Sequence, residues 1–419
     1  MRRVAVTGIG VVCAIGNNRR QFQQALNEGR CGIGAVAGTA DTDLRYRNGA
    51  EVKDFRAEDH FTLKQADMID RFAQLAVVAA REAVAQSGIE WTPELRENAG
   101  IVTGCCIGGK TTEDQGFYDV YKMGKSRVHP MTIPKSMANA GASAISLEFG
   151  VTGPAFTIST ACSSSAHAIG QAFSMVRSGM CDLVLTGGSE APFSYGVLKA
   201  WEAMRVISPD VCRPFSRDRN GMILGEGAAM LAIEPLDRAL ARGAEPIAEI
   251  VGFGMSSDAH HVTQPSAEGA AKAIRMALRD AGIAPEQIGY LNAHGTGTAV
   301  NDTTETRALH LAFGAHAPNL RISSTKAMHG HTLGAAGAIE SAATILALAG
   351  GILPPTIQFN ERDPECDLDY IPNCAREADV EYAISNSFAF GGLNAVLAFR
   401  RYRSAARDLK GATITDADA

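Results

Sequence analysis

Residues 80–104, AREAVAQSGIEWTPELRENAGIVTG, read as the end of a helix, a Gly-Ile stop, a Pro-Glu turn and a strand that closes on glycine. Residues 273–295, AIRMALRDAGIAPEQIGYLNAHG, repeat those signals in the same order. Glycine just past a helical run ends it, and Pro-Glu favours a turn before the next apolar run. A second pair follows the first. CSSSAHAIGQAFSMVRSGMCDLVLTGG begins at Cys162, and HTLGAAGAIESAATILALAGG begins at His331. Each reads as a helix of small residues with a reactive side chain at its entrance. Unrelated helices share such composition, so the duplication stands as an expectation for the fold to test. It predicts two similar halves that face each other and bring both entrances to one site.

Outward from these repeats, RVAVTGIG, AGIVTGC, DLVLTGGSE, IGYLNAHGTG and EYAISNSF read as buried strands, each stopped by glycine or polar residues. DRFAQLAVVAAREAVAQSG and GAAKAIRMALRDAG read as helices between them. Continuous apolar strands alternating with helices predict an α/β protein whose sheet is covered on both faces. We place an N-terminal half at 1–250, a C-terminal half at 251–403 and a polar, frayed tail at 404–419. The first half carries an insertion at about 110–150, whose RVHPMTIPKSMANAGAS fits neither strand nor helix by pattern; such segments line pockets or interfaces.

Composition narrows the function. The 419 residues are 46% hydrophobic and 20% charged, which supports a large core. The net charge of −6, with no long block of one sign, argues against nucleic acid as a partner. Nine cysteines without a CxxC pair support neither a disulfide framework nor a zinc ribbon. MRRVAVTGIG is not a signal sequence, and no apolar run approaches the roughly 18 residues of a membrane span. A reduced, soluble, cytoplasmic protein is expected.

Four segments could carry chemistry. In ISTACSSSAHAIG, Cys162 stands between a strand and a small-residue helix, where the helix dipole and open N–H groups favour thiolate and prepare a nucleophile. A buried structural cysteine is the alternative, and it is the reading for the other eight. In YLNAHGTGTAVNDTTE, His294 ends a strand, where α/β proteins collect function, and Thr296 and Thr298 offer hydroxyls; a satisfied core histidine is the alternative. STKAMHGHTLGAAG holds Lys326, His329 and His331. His-x-His is a metal pair only with further ligands, and none lies at useful spacing, so no metal is expected. Lys326 among small residues suggests a confined charge that needs a partner, with Glu340 as a candidate. In NSFAFGGLNAV, two glycines after Phe390 permit a tight turn whose amides could face a substrate oxygen; an ordinary strand ending is the alternative. TGIGVVCAIG lacks dinucleotide-fingerprint spacing.

In this order, TACSSS, NAHGTGT, STKAMHGHTLGAAG and NSFAFGGLNA resemble the elongating β-ketoacyl-[acyl-carrier-protein] synthases of type II systems. RPFSRDRNGMILGEGA (213–228) and VGFGMSSDAHHVTQPS (251–266) are similar to that family too, and the likeness runs from about residue 2 to 401. GVLKAWEAMRV and KAMHGH most resemble its specialised, nodulation protein E-like branch. The resemblance implies a thiolase-like fold, two halves in five α-β-α-β-α layers, and a dimer. It implies Cys162 as the acylated nucleophile, His294 and His331 as the catalytic histidines, and Lys326 as the accompanying lysine. Thr296 and Thr298 would touch the phosphopantetheine arm. Phe390 would gate the site and form an oxyanion hole with Cys162, Ile107 would gate the acyl pocket, and Phe388 would contact substrate. Lys64 and Arg205 would help dock the acyl carrier protein, the expected partner, and no cofactor is implied.

The implied reaction is a decarboxylative Claisen condensation of acyl-Cys162 with malonyl-carrier protein, extending the chain by two carbons in fatty acid, polyketide or polyene synthesis. Departures from the family pattern are His329, read as a residue behind the site, Ala389 and Leu393 in the gating loop, and Asp67 and Met68 at docking positions. Two other readings are a thiolase acting on coenzyme A esters and the catalytic subunit of a heterodimer with a chain-length-factor partner. A thiolase needs a second reactive cysteine, and neither Cys366 nor Cys374 sits in a glycine-rich turn.

Overall fold

The computed structural model of the chain describes residues 1–403; the tail expected at 404–419 lies outside the described residues. Ten strands form the main sheet. They are β1 (Val4–Cys13), β2 (Ala99–Gly104), β3 (Ala155–Ile158), β4 (Leu183–Glu190), β5 (Gly227–Pro235), β6 (Ala248–Ser257), β7 (Ile288–Asn292), β8 (Ile322–Ser323), β9 (Tyr382–Ser387) and β10 (Leu393–Arg401). Their spatial order is β8-β7-β9-β10-β6-β1-β5-β4-β2-β3. Split at β6 and β1, the two halves read β1-β5-β4-β2-β3 and β6-β10-β9-β7-β8. The second is the first with five added to every strand.

Pair by pair the directions agree as well. β1–β5 and β5–β4 are antiparallel, β4–β2 and β2–β3 parallel, and the four matching pairs of the second half repeat this. The halves join where β1 and β6 pair antiparallel from Val4↔Ile250 to Val6↔Ala248. The second half therefore opens at Ala248, inside the stretch that the boundary at 250 assigns to the first.

Four helices cover the two halves of the sheet: α1 (Arg71–Ser87), α2 (Ser164–Ser178), α3 (Ala267–Ala281) and α4 (Ala336–Gly350). The outer face of the first half packs Leu75 and Ala79 of α1 with Ile101, Leu185 and Met230. The outer face of the second packs Ala270, Ile274 and Leu278 of α3 with Leu291, Ile384 and Val396. Between the two halves of the sheet, α2 and α4 share one core with residues from both halves, among them Ile169, Phe173, Ile339, Leu231 and Leu397. These are the five layers. Close approach of the central helices depends on Gly337, where a Cβ would stand 2.8 Å from the Cβ of Ala166.

Two expectations are corrected. Residues Leu333–Gly350 do have the length and apolar character of a membrane span, but 89% of the stretch is buried inside the protein as the central helix. A helix packed on all sides needs the same all-round hydrophobicity as one in lipid. The insertion is also more regular than its pattern suggests, with helices at Lys110–Tyr121, Thr132–Ser136 and Ala140–Phe149.

Candidate active site

The turn between β3 and α2 delivers Cys162. Ala161 adopts φ 51°, a conformation unusual for a residue with a side chain, and the serines that follow hold the turn. The Ser164 hydroxyl donates to the Ala161 carbonyl at 2.6 Å and accepts from the Thr160 N–H at 2.9 Å. The Ser163 hydroxyl donates to the carbonyl of Leu393 at 2.9 Å, which ties the turn to the start of β10. The backbone amides of Phe390 and of Cys162 itself lie close enough to the sulfur to favour its charged form.

Burial pushes the Cys162 thiol up to about 11; Lys326 and the two amides pull it down, and Glu190 adds to the rise. The helix-entrance argument for a preformed thiolate is therefore corrected. Loss of water around the sulfur outweighs the pull of Lys326 and the two amides.

From the opposite half, β7 delivers His294. Its backbone N–H and that of Gly295 donate to Glu305 at 2.9 and 2.8 Å. Asp302, buried and pushed up to about 6, accepts from the N–H groups of Phe215 at 2.7 Å and Gly297 at 3.2 Å. Two buried carboxylates thus hold the glycine-threonine loop, within which the hydroxyls of Thr296 and Thr298 lie 2.9 Å apart.

The rings of His294 and His331 stand edge to face with centroids 5.5 Å apart. Burial, Lys326 and neighbouring imidazoles hold both well below the usual histidine range, so both are neutral. Their tautomers follow from their partners. Nδ1 of His331 accepts the N–H of Leu333 at 3.1 Å. Nδ1 of His294 lies 3.4 Å from Nζ of Lys326, which as an ammonium can only donate. Each ring therefore carries its proton on Nε2.

Lys326 is fully buried, donates to the carbonyl of His294 at 2.7 Å and forms an ion pair with Glu340. Burial pushes the Glu340 carboxyl up to about 7, with the ammonium pulling the other way. His329 faces elsewhere. Its ring nitrogens meet the Gly330 carbonyl and the Thr325 hydroxyl, both at 2.9 Å, and burial lowers it to about 3.

A cleft of about 570 Å³ brings together Cys162, His294, His331 and Phe390, with Phe388, Thr296 and Thr298 on its walls and Arg205 among its lining residues. Ile107 does not line this cleft; it packs against an apolar cluster with Leu198, Met222 and Leu333. Lys64 is exposed on the short helix Leu63–Met68. Neither Cys366 nor Cys374 reaches the cleft.

Four side chains escaped the sequence reading. Glu305 and Asp302 sit in the quoted NDTTE, and an acid eight to eleven residues beyond a strand-end histidine is the signal that could have found them. Glu190 closes β4 and accepts from the N–H groups of Cys106, Ile107 and Gly334 at 2.7, 3.1 and 2.9 Å. A carboxylate ending an otherwise apolar strand was its signal. Trp201, whose ring stacks on that of Phe390 at 6.3 Å, gave none.

Known proteins are similar to this chain. A family model described as Beta-ketoacyl synthase, N-terminal domain, matches residues 1–239, and one described as Beta-ketoacyl synthase, C-terminal domain, matches 247–360. Nodulation protein E from Rhizobium sp. is 45% identical over 400 residues, covering 96% of this chain and 99% of that protein. 3-oxoacyl-[acyl-carrier-protein] synthase 2 from Synechocystis sp. is 43% identical over 411 residues, again covering 96% and 99%. The solved structure of the ishigamide ketosynthase/chain length factor matches with a TM-score of 0.91 at 36% identity, over 96% of this chain and 100% of that one.

Proposed function

The chain belongs to the β-ketoacyl synthase family and is a condensing acyltransferase of the 3-oxoacyl-[acyl-carrier-protein] synthase type, and from that premise we propose how its own residues divide the reaction. The observation that carries the reading is the meeting, on one cleft, of the Cys162 thiol, the Phe390 loop and two neutral imidazoles from the other half.

Cys162 attacks the thioester carbonyl of an acyl carrier protein. Because its thiol rests protonated, the proton leaves as the C–S bond forms. The N–H groups of Cys162 and Phe390, both beside the sulfur, hold the tetrahedral oxyanion. The pantetheine thiolate departs and takes up the proton that Cys162 gave up.

Malonyl-carrier protein enters next, with Thr296 and Thr298 against its pantetheine arm. Loss of CO₂ leaves an enolate, whose oxygen accepts Nε2–H bonds from His294 and His331. Neutral donors suit this step, since they bind the developing negative oxygen better than the ground-state carbonyl. The enolate carbon attacks the acyl-Cys162 carbonyl, the sulfur is expelled as thiolate and regains a proton from water, and a β-ketoacyl chain two carbons longer leaves on the carrier. Lys326, paired with Glu340, sets the field and fixes the His294 tautomer.

The test is product analysis with acyl- and malonyl-carrier protein as substrates. The expected product is β-ketoacyl-carrier protein with CO₂ released in equal amount. Thiolysis of β-ketoacyl-coenzyme A in place of condensation would support the thiolase reading and overturn this one.

For assembly, edge strand β3 is largely exposed, and Phe117, Tyr121, Ile133 and Leu147 expose apolar surface on the insertion helices. An open edge beside apolar surface invites pairing with a second subunit. This supports a dimer, formed with a second copy or with a chain-length-factor-like relative of the same fold. Exposed Lys64 and Arg205 are offered to the carrier protein.

A further inference from the structure

If Phe390 supplies an oxyanion N–H, something must hold that amide in place. The backbone just beyond it is built to pivot, because Gly391 and Gly392 both take left-handed conformations at φ 83° and 70°. Three backbone hydrogen bonds restrain the loop, Gly391 N–H to the Val262 carbonyl at 2.7 Å, Gly392 N–H to the Ala389 carbonyl at 2.9 Å and Asp258 N–H to the Gly392 carbonyl at 2.9 Å. None touches the side chain of Phe390. That ring is met by Trp201, whose indole lies nearly parallel to it at 26°.

Trp201 is well placed as a fixed point. It stands on the helix Tyr195–Met204, whose Glu202 accepts the Tyr46 N–H at 3.0 Å. The indole also packs against the apolar cluster of Leu198, Met222 and Leu333. The stack therefore bridges the two halves, with its rigid partner in the first and its pivoting partner in the second.

We propose that Trp201 is a positioning residue whose indole holds the Phe390 ring at the cleft, keeps the Phe390 N–H aimed at Cys162, and parts from that ring when an acyl chain enters. This rests on the condensing reading above. The stack favours the closed loop, so weakening it speeds entry of long acyl chains and slows the steps that need the amide in place. An aromatic pair contributes enough to make each effect roughly 2- to 10-fold.

The chain offers its own reporter, since it has two tryptophans, Trp91 and Trp201. Trp91 stacks on Phe149 at 5.6 Å, and its indole nitrogen has no hydrogen-bond partner among the described residues. Trp91→Phe keeps a stack and loses no hydrogen bond, leaving Trp201 as the sole tryptophan. We expect its emission to shift when a long-chain acyl group from a tryptophan-free carrier protein loads Cys162, and to stay fixed in Trp91→Phe/Cys162→Ala. In the otherwise unaltered chain, Trp201→Leu should load long chains faster and condense more slowly, and Trp201→Phe should restore both rates. Emission that ignores an acylation verified by intact mass overturns the proposal, as does equal behaviour of Trp201→Leu and Trp201→Phe. Failure to acylate at all would instead sink the condensing reading, so the two failures are distinguishable.

Discussion

The ammonium of Lys326 donates to the carbonyl oxygen of His294 at 2.7 Å and lies 3.4 Å from Nδ1 of the same residue. One buried cation thus binds both the backbone and the ring of the residue meant to hold an enolate. Its counterion is Glu340, equally buried. Lys326→Ala should cost about 3–5 kcal/mol in denaturant unfolding, because an acid is left buried and unpaired. Lys326→Met/Glu340→Gln should recover much of that stability and none of the condensation rate. Recovery of both together would show that the lysine serves only the fold.

His294→Ala and His331→Ala should each still take up an acyl group, because neither ring acts in the transfer to Cys162. Condensation should fall about 100- to 1,000-fold in each, the size of losing one preorganised donor. Single-turnover acylation and steady-state product formation, measured separately, check this. Undiminished condensation in either variant removes that histidine from the enolate.

Much of this was legible because its signals are local. Gly-Ile stops and Pro-Glu turns mark both copies of the repeat, and Cys162, His294 and His331 each follow a recognisable strand or open a small-residue helix. What escaped depends on three dimensions. The join of β1 to β6 through residues 4–6 and 248–250 has no sequence marker. The state of Cys162 needs the burial that only the packed layers supply. Glu190 looks like an ordinary strand end until three N–H groups from two distant loops converge on it.

That burial has a measurable consequence. A thiol at about 11 is almost wholly protonated at neutral pH, so alkylation of Cys162 by iodoacetamide should keep accelerating as pH rises toward that value. Glu190→Gln removes a negative charge that raises the thiol, so it should lower the apparent value and speed alkylation at neutral pH. A rate already level at neutral pH would mean a preformed thiolate.

His329 gives a stability signature. Its folded value of about 3 lies below the ordinary 6.5, so the unfolded chain binds a proton that the folded chain refuses as pH drops. Its contribution is present above 6.5 and is lost as pH falls from there toward 3. His329→Gln should flatten that part of the stability–pH curve and cost about 1–3 kcal/mol at neutral pH from broken buried hydrogen bonds. Condensation should stay within a few-fold of the parent. An unchanged pH slope would contradict the assignment.

The central claim is that the thiol of Cys162 carries the growing chain. Intact-protein mass spectrometry after mixing with acyl-carrier proteins of graded length reads this directly. We expect one added acyl group per chain, retained in His294→Ala and His331→Ala and absent in Cys162→Ala. A full adduct on Cys162→Ala, or none on the parent protein at any length, would contradict the account.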